Sequence, residues 1–154
     1  MRRIFLVLFL LVAAFGPHDA LAARPGGKAP IMTVKSTQTP STASVGDAIK
    51  VRITIEPPKG IELNRYPGIT LKLDDVTDFE TATQEVFVGT RELPEDIEKN
   101  GFKVVPPLEF FVTAKKGGRG KKALSATLKY FYCVKSSGYC APGSQSVHIP
   151  LTVR

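Results

Sequence analysis

Residues 49–56 read IKVRITIE. Ile49, Val51, Ile53 and Ile55 fall on one side of an extended chain and Lys50, Arg52, Thr54 and Glu56 on the other, the period-two pattern of a strand with one face in a core. Pro57-Pro58-Lys59-Gly60 then ends the run. The alternation returns in Ile69, Leu71 and Leu73, in Leu124, Ala126, Leu128, Tyr130 and Tyr132, and in Val147, Ile149, Leu151 and Val153. Residues 108–112 form a more uniformly apolar strand, broken by Glu109, and residues 85–88 a weaker one. Turn-forming pairs separate these runs at Pro67-Gly68, Asn100-Gly101, Pro106-Pro107, Gly117-Gly118 and Pro142-Gly143. Only residues 94–99 offer room for a helical turn. Short strands spaced by such signals predict an all-β fold, an immunoglobulin-like antiparallel β-sandwich.

The start of the chain bears on the compartment. Arg2 and Arg3 precede an apolar run of twelve residues at 4–15, and Ala20-Leu21-Ala22 supplies small residues for cleavage. This is the pattern of a secretory signal peptide over residues 1–22, cut near Ala22. The run is shorter than the roughly 20 apolar residues that span a bilayer, so no stable membrane insertion is expected. Residues 23–44 are rich in Pro, Gly, Ser and Thr and read as a flexible leader with a possible edge strand at Ile31-Met32-Thr33-Val34. Residues 45–154 make one domain. The expected location is periplasmic or secreted.

The formal charge of +7 is unevenly spread. Lys115, Lys116, Arg119, Lys121 and Lys122 crowd one glycine-rich turn, while residues 74–98 carry nine acidic side chains against Arg91 alone. The basic turn has no interleaved aromatics, so it reads as a solvated hairpin tip, with no nucleic acid as a partner.

All the sulfur chemistry lies in residues 132–140, YCVKSSGYC, where Cys133 and Cys140 are the two cysteines of the chain. Outside the cytosol such a pair is expected to be oxidised. Two cysteines with His148 fall short of a zinc site, so no metal is expected. Gly117-Gly118-Arg119-Gly120 lacks the helix that a phosphate loop needs, and no other pattern calls for a cofactor. A disulfide closing so short a loop stabilises by only about 2.5 kcal/mol in the chain-entropy model. The alternation that sends Tyr130 and Tyr132 to the core turns Cys133 to the opposite face, beside Thr127, Lys129 and Phe131. Two readings stand at this point: a disulfide made for exchange, and a non-enzymatic immunoglobulin-like binding module stapled by a structural disulfide.

Tyr130-Phe131-Tyr132-Cys133, Gly138-Tyr139-Cys140-Ala141-Pro142 and Val147-His148-Ile149-Pro150-Leu151 together resemble the end of the N-terminal periplasmic domain of the thiol:disulfide interchange protein DsbD family. Pro57-Pro58-Lys59-Gly60-Ile61-Glu62-Leu63 resembles that family's turn out of an early strand. Six residues separate the cysteines here, against five in the family's usual spacing. The resemblance implies that Cys133 and Cys140 are redox cysteines of a protein-disulfide reductase component. They would take electrons from a separately encoded membrane electron carrier and pass them to thioredoxin-like periplasmic proteins. It also implies that Cys140 forms the intermolecular bond. Gln84-Glu85-Val86-Phe87-Val88-Gly89 resembles the family's cap loop, which makes Phe87, with Glu85 before it, the expected cover over the disulfide. Phe79 is the second candidate.

Overall fold

The alternating stretch at 49–56 lies inside a central strand of the first of two sheets. The computed structural model describes residues 28–154, and the expected signal peptide at 1–22 lies outside them. In chain order the strands are β1 (Thr33–Thr39), β2 (Ala48–Glu56), β3 (Ile61–Leu63), β4 (Ile69–Asp75), β5 (Phe79–Glu80), β6 (Glu85–Val88), β7 (Leu108–Ala114), β8 (Gly120–Val134) and β9 (Tyr139–Val153). The first sheet runs β1-β2-β7-β5. The second runs β3-β8-β4-β6, with β9 also pairing to β8. Every pairing between these strands is antiparallel. The fold is all-β, as the periodicity predicts.

The period of two decides what is buried. Ile49, Val51 and Ile53 of β2 and Leu108, Phe110 and Val112 of β7 share one continuous core with Ile69, Leu71, Leu124, Leu128 and Ile149 of the second sheet. Each such aliphatic side chain contributes roughly 1.5–3 kcal/mol by leaving water. The outer face of the first sheet is charged, with Glu109 accepting from Lys50 at 2.9 Å and Arg52 at 3.0 Å.

The edge strand β1 is longer than the four residues its sequence suggests. It pairs with β2 from Thr33 to Thr39 and then ties the first sheet to β9. Gln38 donates to Thr152 C=O and accepts from Thr152 N–H at 3.1 and 2.7 Å, and Gln145 does the same with Met32 at 3.0 and 2.7 Å. Tyr130 donates its hydroxyl to Pro30 C=O, and burial, with a smaller contribution from Tyr132, raises its phenol above the ordinary value.

The basic turn differs from expectation. Lys116–Gly118 is a short 3-10 turn, and the chain passes through it from β7 in the first sheet to β8 in the second. It is an arch between sheets and not a hairpin tip, held down by an ion pair of 2.9 Å between Lys122 and Asp78.

Strands β8 and β9 form one long hairpin in unbroken register from Gly120↔Val153 to Val134↔Tyr139. Phe131 C=O accepts from Asn64 and Lys135 N–H donates to Gly60 C=O, so the odd-numbered residues of β8 turn their polar backbone toward β3. The positions facing them on β9, which include Cys140, Pro142 and Pro150, are therefore non-hydrogen-bonded pairs with β8. Both prolines sit where the ladder asks for no N–H.

Candidate functional site

Cys133 and Cys140 face each other across this hairpin and are joined as a disulfide, with Cα atoms 4.0 Å apart. A non-hydrogen-bonded pair brings side chains closest, which is why the bond spans the strands directly. A four-residue loop, 135–138, closes the hairpin, and Gly138 takes φ +69°, a left-handed value that suits glycine. Cys140 is exposed and Cys133 half-buried. Both lie on the outer face of the second sheet, away from the core, as the alternation predicts for Cys133.

The disulfide forms part of the floor of an open groove of about 880 Å³. One wall is Asn64, Tyr66 and Pro67, between β3 and β4. The other is Leu93, Pro94 and Ile97, in the long connection from β6 to β7. Leu93 and Ile97 are 66% and 68% exposed, so the groove that holds the disulfide carries uncovered apolar surface. Glu62 and Lys135 stand at the rim as an ion pair of 3.6 Å. A Cβ at Gly101 would collide with the Glu62 carboxylate, so glycine there leaves room for it.

The connection is fixed by its backbone. Thr90 N–H donates to Arg65 C=O at 2.7 Å, Arg65 N–H to Asn100 C=O at 2.7 Å, and Phe102 N–H to Leu63 C=O at 2.8 Å. Residues Ile97–Lys99 form the 3-10 turn that the sequence allows between 94 and 99. Asn100, one of two buried polar residues among those described, ends that turn.

The other buried polar residue is Asn64. Its N–H donates to Phe131 C=O at 2.9 Å, and it bridges to Gly101. Its side-chain Nδ2 donates to Cys133 Sγ at 3.4 Å. The amide Oδ1 lies 3.5 Å from the same sulfur, which carries no proton while the disulfide is closed. Gly138 C=O is likewise 3.5 Å from Cys140 Sγ.

Phe87 and Glu85 are not among the residues lining the groove. Phe87 pairs with Thr70, which pairs with Lys129. That row is two strands across and four residues along β8 from Cys133, about 10 Å and 13 Å respectively. The Phe87 ring packs on Gly68, where a Cβ would strike it, and under the Arg91 guanidinium at 4.8 Å, which also pairs with Glu85 at 3.5 Å. Phe79 is 1% exposed and belongs to the core beneath β5. Asn64 is the side chain that reaches a sulfur, and Leu93, Pro94 and Ile97 line the same groove; the sequence singles out none of them as part of a site. Leu93 sits in an acidic stretch just before the helical turn that the sequence allows at 94–99, and Pro94 opens that turn. Asn64 is a lone amide following a strand.

No protein-family model matches the chain. Histidinol-phosphate aminotransferase 2 of Rhizobium meliloti (strain 1021) is 28% identical over 126 residues, 75% of this chain and 36% of that protein. The chain thus spans about a third of the length of this curated relative, and an identity this low assigns no family. Among the described residues no helix is long and apolar enough to cross a membrane.

Proposed function

We propose that the chain is an exported immunoglobulin-like domain that exchanges disulfides with protein partners through Cys133 and Cys140. The observation that carries this reading is the position of the bond. It joins adjacent strands on the outer face of a sheet, with Cys140 open to solvent at the floor of an apolar groove. A staple would do more across a longer loop or inside the core. Exchange needs an attacking thiolate to reach one of the two sulfurs, and Cys140 is the more exposed cysteine.

In this reading a partner thiolate attacks Cys140 Sγ, and the electron pair of the old bond leaves on Cys133. A second partner thiolate then attacks the partner's own sulfur in the mixed disulfide, releasing Cys140 as a thiolate. The partner ends oxidised and the domain reduced by two electrons. Run against a thioredoxin-like protein that carries a disulfide, the same steps in reverse pass the electrons on. The donor is a separately encoded membrane electron carrier, and the compartment is the periplasm or the exterior. The residues quoted for the DsbD resemblance support this assignment of roles.

Equilibration of the full chain in glutathione and dithiothreitol buffers, followed by thiol trapping, tests the reading. An exchange disulfide comes to equilibrium with these buffers without unfolding. A bond that resists native reduction, with a potential below about −300 mV, makes the domain a binding module with a structural disulfide.

A further inference from the structure

The two buried polar side chains use their amides differently. Asn100 spends both ends on the backbone of Tyr66, where Nδ2 donates to C=O at 2.9 Å and Oδ1 accepts from N–H at 2.8 Å. Every hydrogen-bond contact made by the Asn64 amide among the described residues goes to Cys133 Sγ. A sulfur within a disulfide is a weak acceptor, so a buried amide gains little from it while the bond is closed. A thiolate at the same place is a full charge, and hydrogen bonds to charge are markedly stronger.

We propose that Asn64 positions Cys133 Sγ and stabilises it as the thiolate released when the disulfide opens, which makes Cys133 the leaving and resolving sulfur and Cys140 the sulfur that is attacked. The inference deepens the exchange reading and rests on it. In the opening step a bond forms between the incoming sulfur and Cys140 Sγ, the Cys133–Cys140 bond breaks, and its electron pair stays on Cys133. No proton moves. The Asn64 Nδ2–H faces the charge where it develops. The amide is placed in advance, because the Asn64 backbone is held by Phe131 on one side and bridged to Gly101 on the other. Little reorganisation is then needed as the bond breaks. Once Cys133 is protonated, Oδ1 stands ready to accept the S–H, so one side chain serves both protonation states. An aspartate would serve only the second and would repel the thiolate. Asn64 acts through Cys133 and is a positioning residue.

The test measures the rate of iodoacetamide alkylation of Cys133 against pH in the full chain carrying Cys140→Ala. Adding Asn64→Ala is expected to move the alkylation midpoint up by about one pH unit, and Asn64→Asp by more. In the chain with both cysteines, Asn64→Ala should also slow reduction by dithiothreitol a few-fold, because a more basic thiolate leaves more slowly. An unchanged midpoint in a folded Asn64→Ala protein overturns the proposal. Should that variant not fold, the Asn64 side-chain amide resonances of the 15N-labelled Cys140→Ala protein decide: they are expected to titrate with Cys133, and their indifference to pH overturns the proposal equally. Neither readout involves a protein partner. If the disulfide resists native redox buffers, the exchange reading fails, while the alkylation midpoint still reports on Asn64.

Discussion

Asn100 holds Tyr66 by both backbone polar groups, accepting from its N–H at 2.8 Å and donating to its C=O at 2.9 Å. This clamp joins the connection that carries Leu93 and Ile97 to the turn that carries Asn64, and so fixes the width of the groove. Asn100→Ala leaves two backbone groups without partners in a partly buried place. A loss of about 2–4 kcal/mol in unfolding free energy by urea denaturation is expected, together with faster native reduction of Cys133–Cys140.

Cys140 is exposed and Cys133 half-buried. A Cys133→Ala chain, which leaves Cys140 free, should therefore trap a thioredoxin-like partner as a mixed disulfide several-fold more readily than a Cys140→Ala chain. Non-reducing gels of the two variants with one disulfide-bearing partner compare them, and the opposite ranking reverses the roles of the two sulfurs.

The two phenylalanines that the sequence offers as covers should separate cleanly. Phe79 is fully buried, and Phe79→Ala is expected to cost about 3–5 kcal/mol. Phe87 is half-buried on an edge strand, packed on Gly68 and Arg91. Phe87→Ala should cost less, about 1–2 kcal/mol, and leave the rate of disulfide reduction by small thiols unchanged. Denaturation curves and dithiothreitol kinetics on the same samples check both.

Leu93 and Ile97 present bare apolar surface in the groove that holds the disulfide. Replacing both by Ser should change stability by no more than about 0.5 kcal/mol per site. Reduction by dithiothreitol should stay the same while exchange with a protein partner slows, since only the protein uses the groove wall.

Glu109 gives a pH signature. A hydrogen bond from Lys50, with the charges of Lys50 and Arg52, holds its carboxyl below the ordinary glutamate range, against a smaller opposing effect of desolvation. A carboxyl lowered in the folded state stabilises above its unfolded value and loses that contribution as pH falls through its folded one. The stability difference between the native chain and Glu109→Gln should therefore be present at pH 6 and shrink as the solution is acidified below the glutamate range. Urea midpoints across that span measure it.

What the sequence discloses follows from what is periodic. Ile49 to Ile55 and Leu124 to Tyr132 each have enough alternating residues to fix both strand and buried face, and the same count turns Cys133 outward. β5 is two residues long, too short for a period, so nothing in the sequence separates the buried Phe79 from the edge residue Phe87. The basic arch reads as a hairpin tip because its local composition is the same whether the next strand joins its own sheet or the opposite one. Asn64 meets a sulfur 69 residues away. That meeting depends on the register of β3 against β8 and on the Asn100 clamp, neither of which leaves a local trace.

The parity that makes Pro142 and Pro150 harmless to the β8–β9 ladder has a second effect. At those positions an N–H would point away from β8, toward the other side of β9. Proline removes both donors there, Gln38 takes up both the N–H and the C=O of Thr152, and Ala43 bridges to Val153 along the same side. A foreign strand arriving at this edge meets a broken row of donors. So long a strand is thereby a poor template for intermolecular pairing.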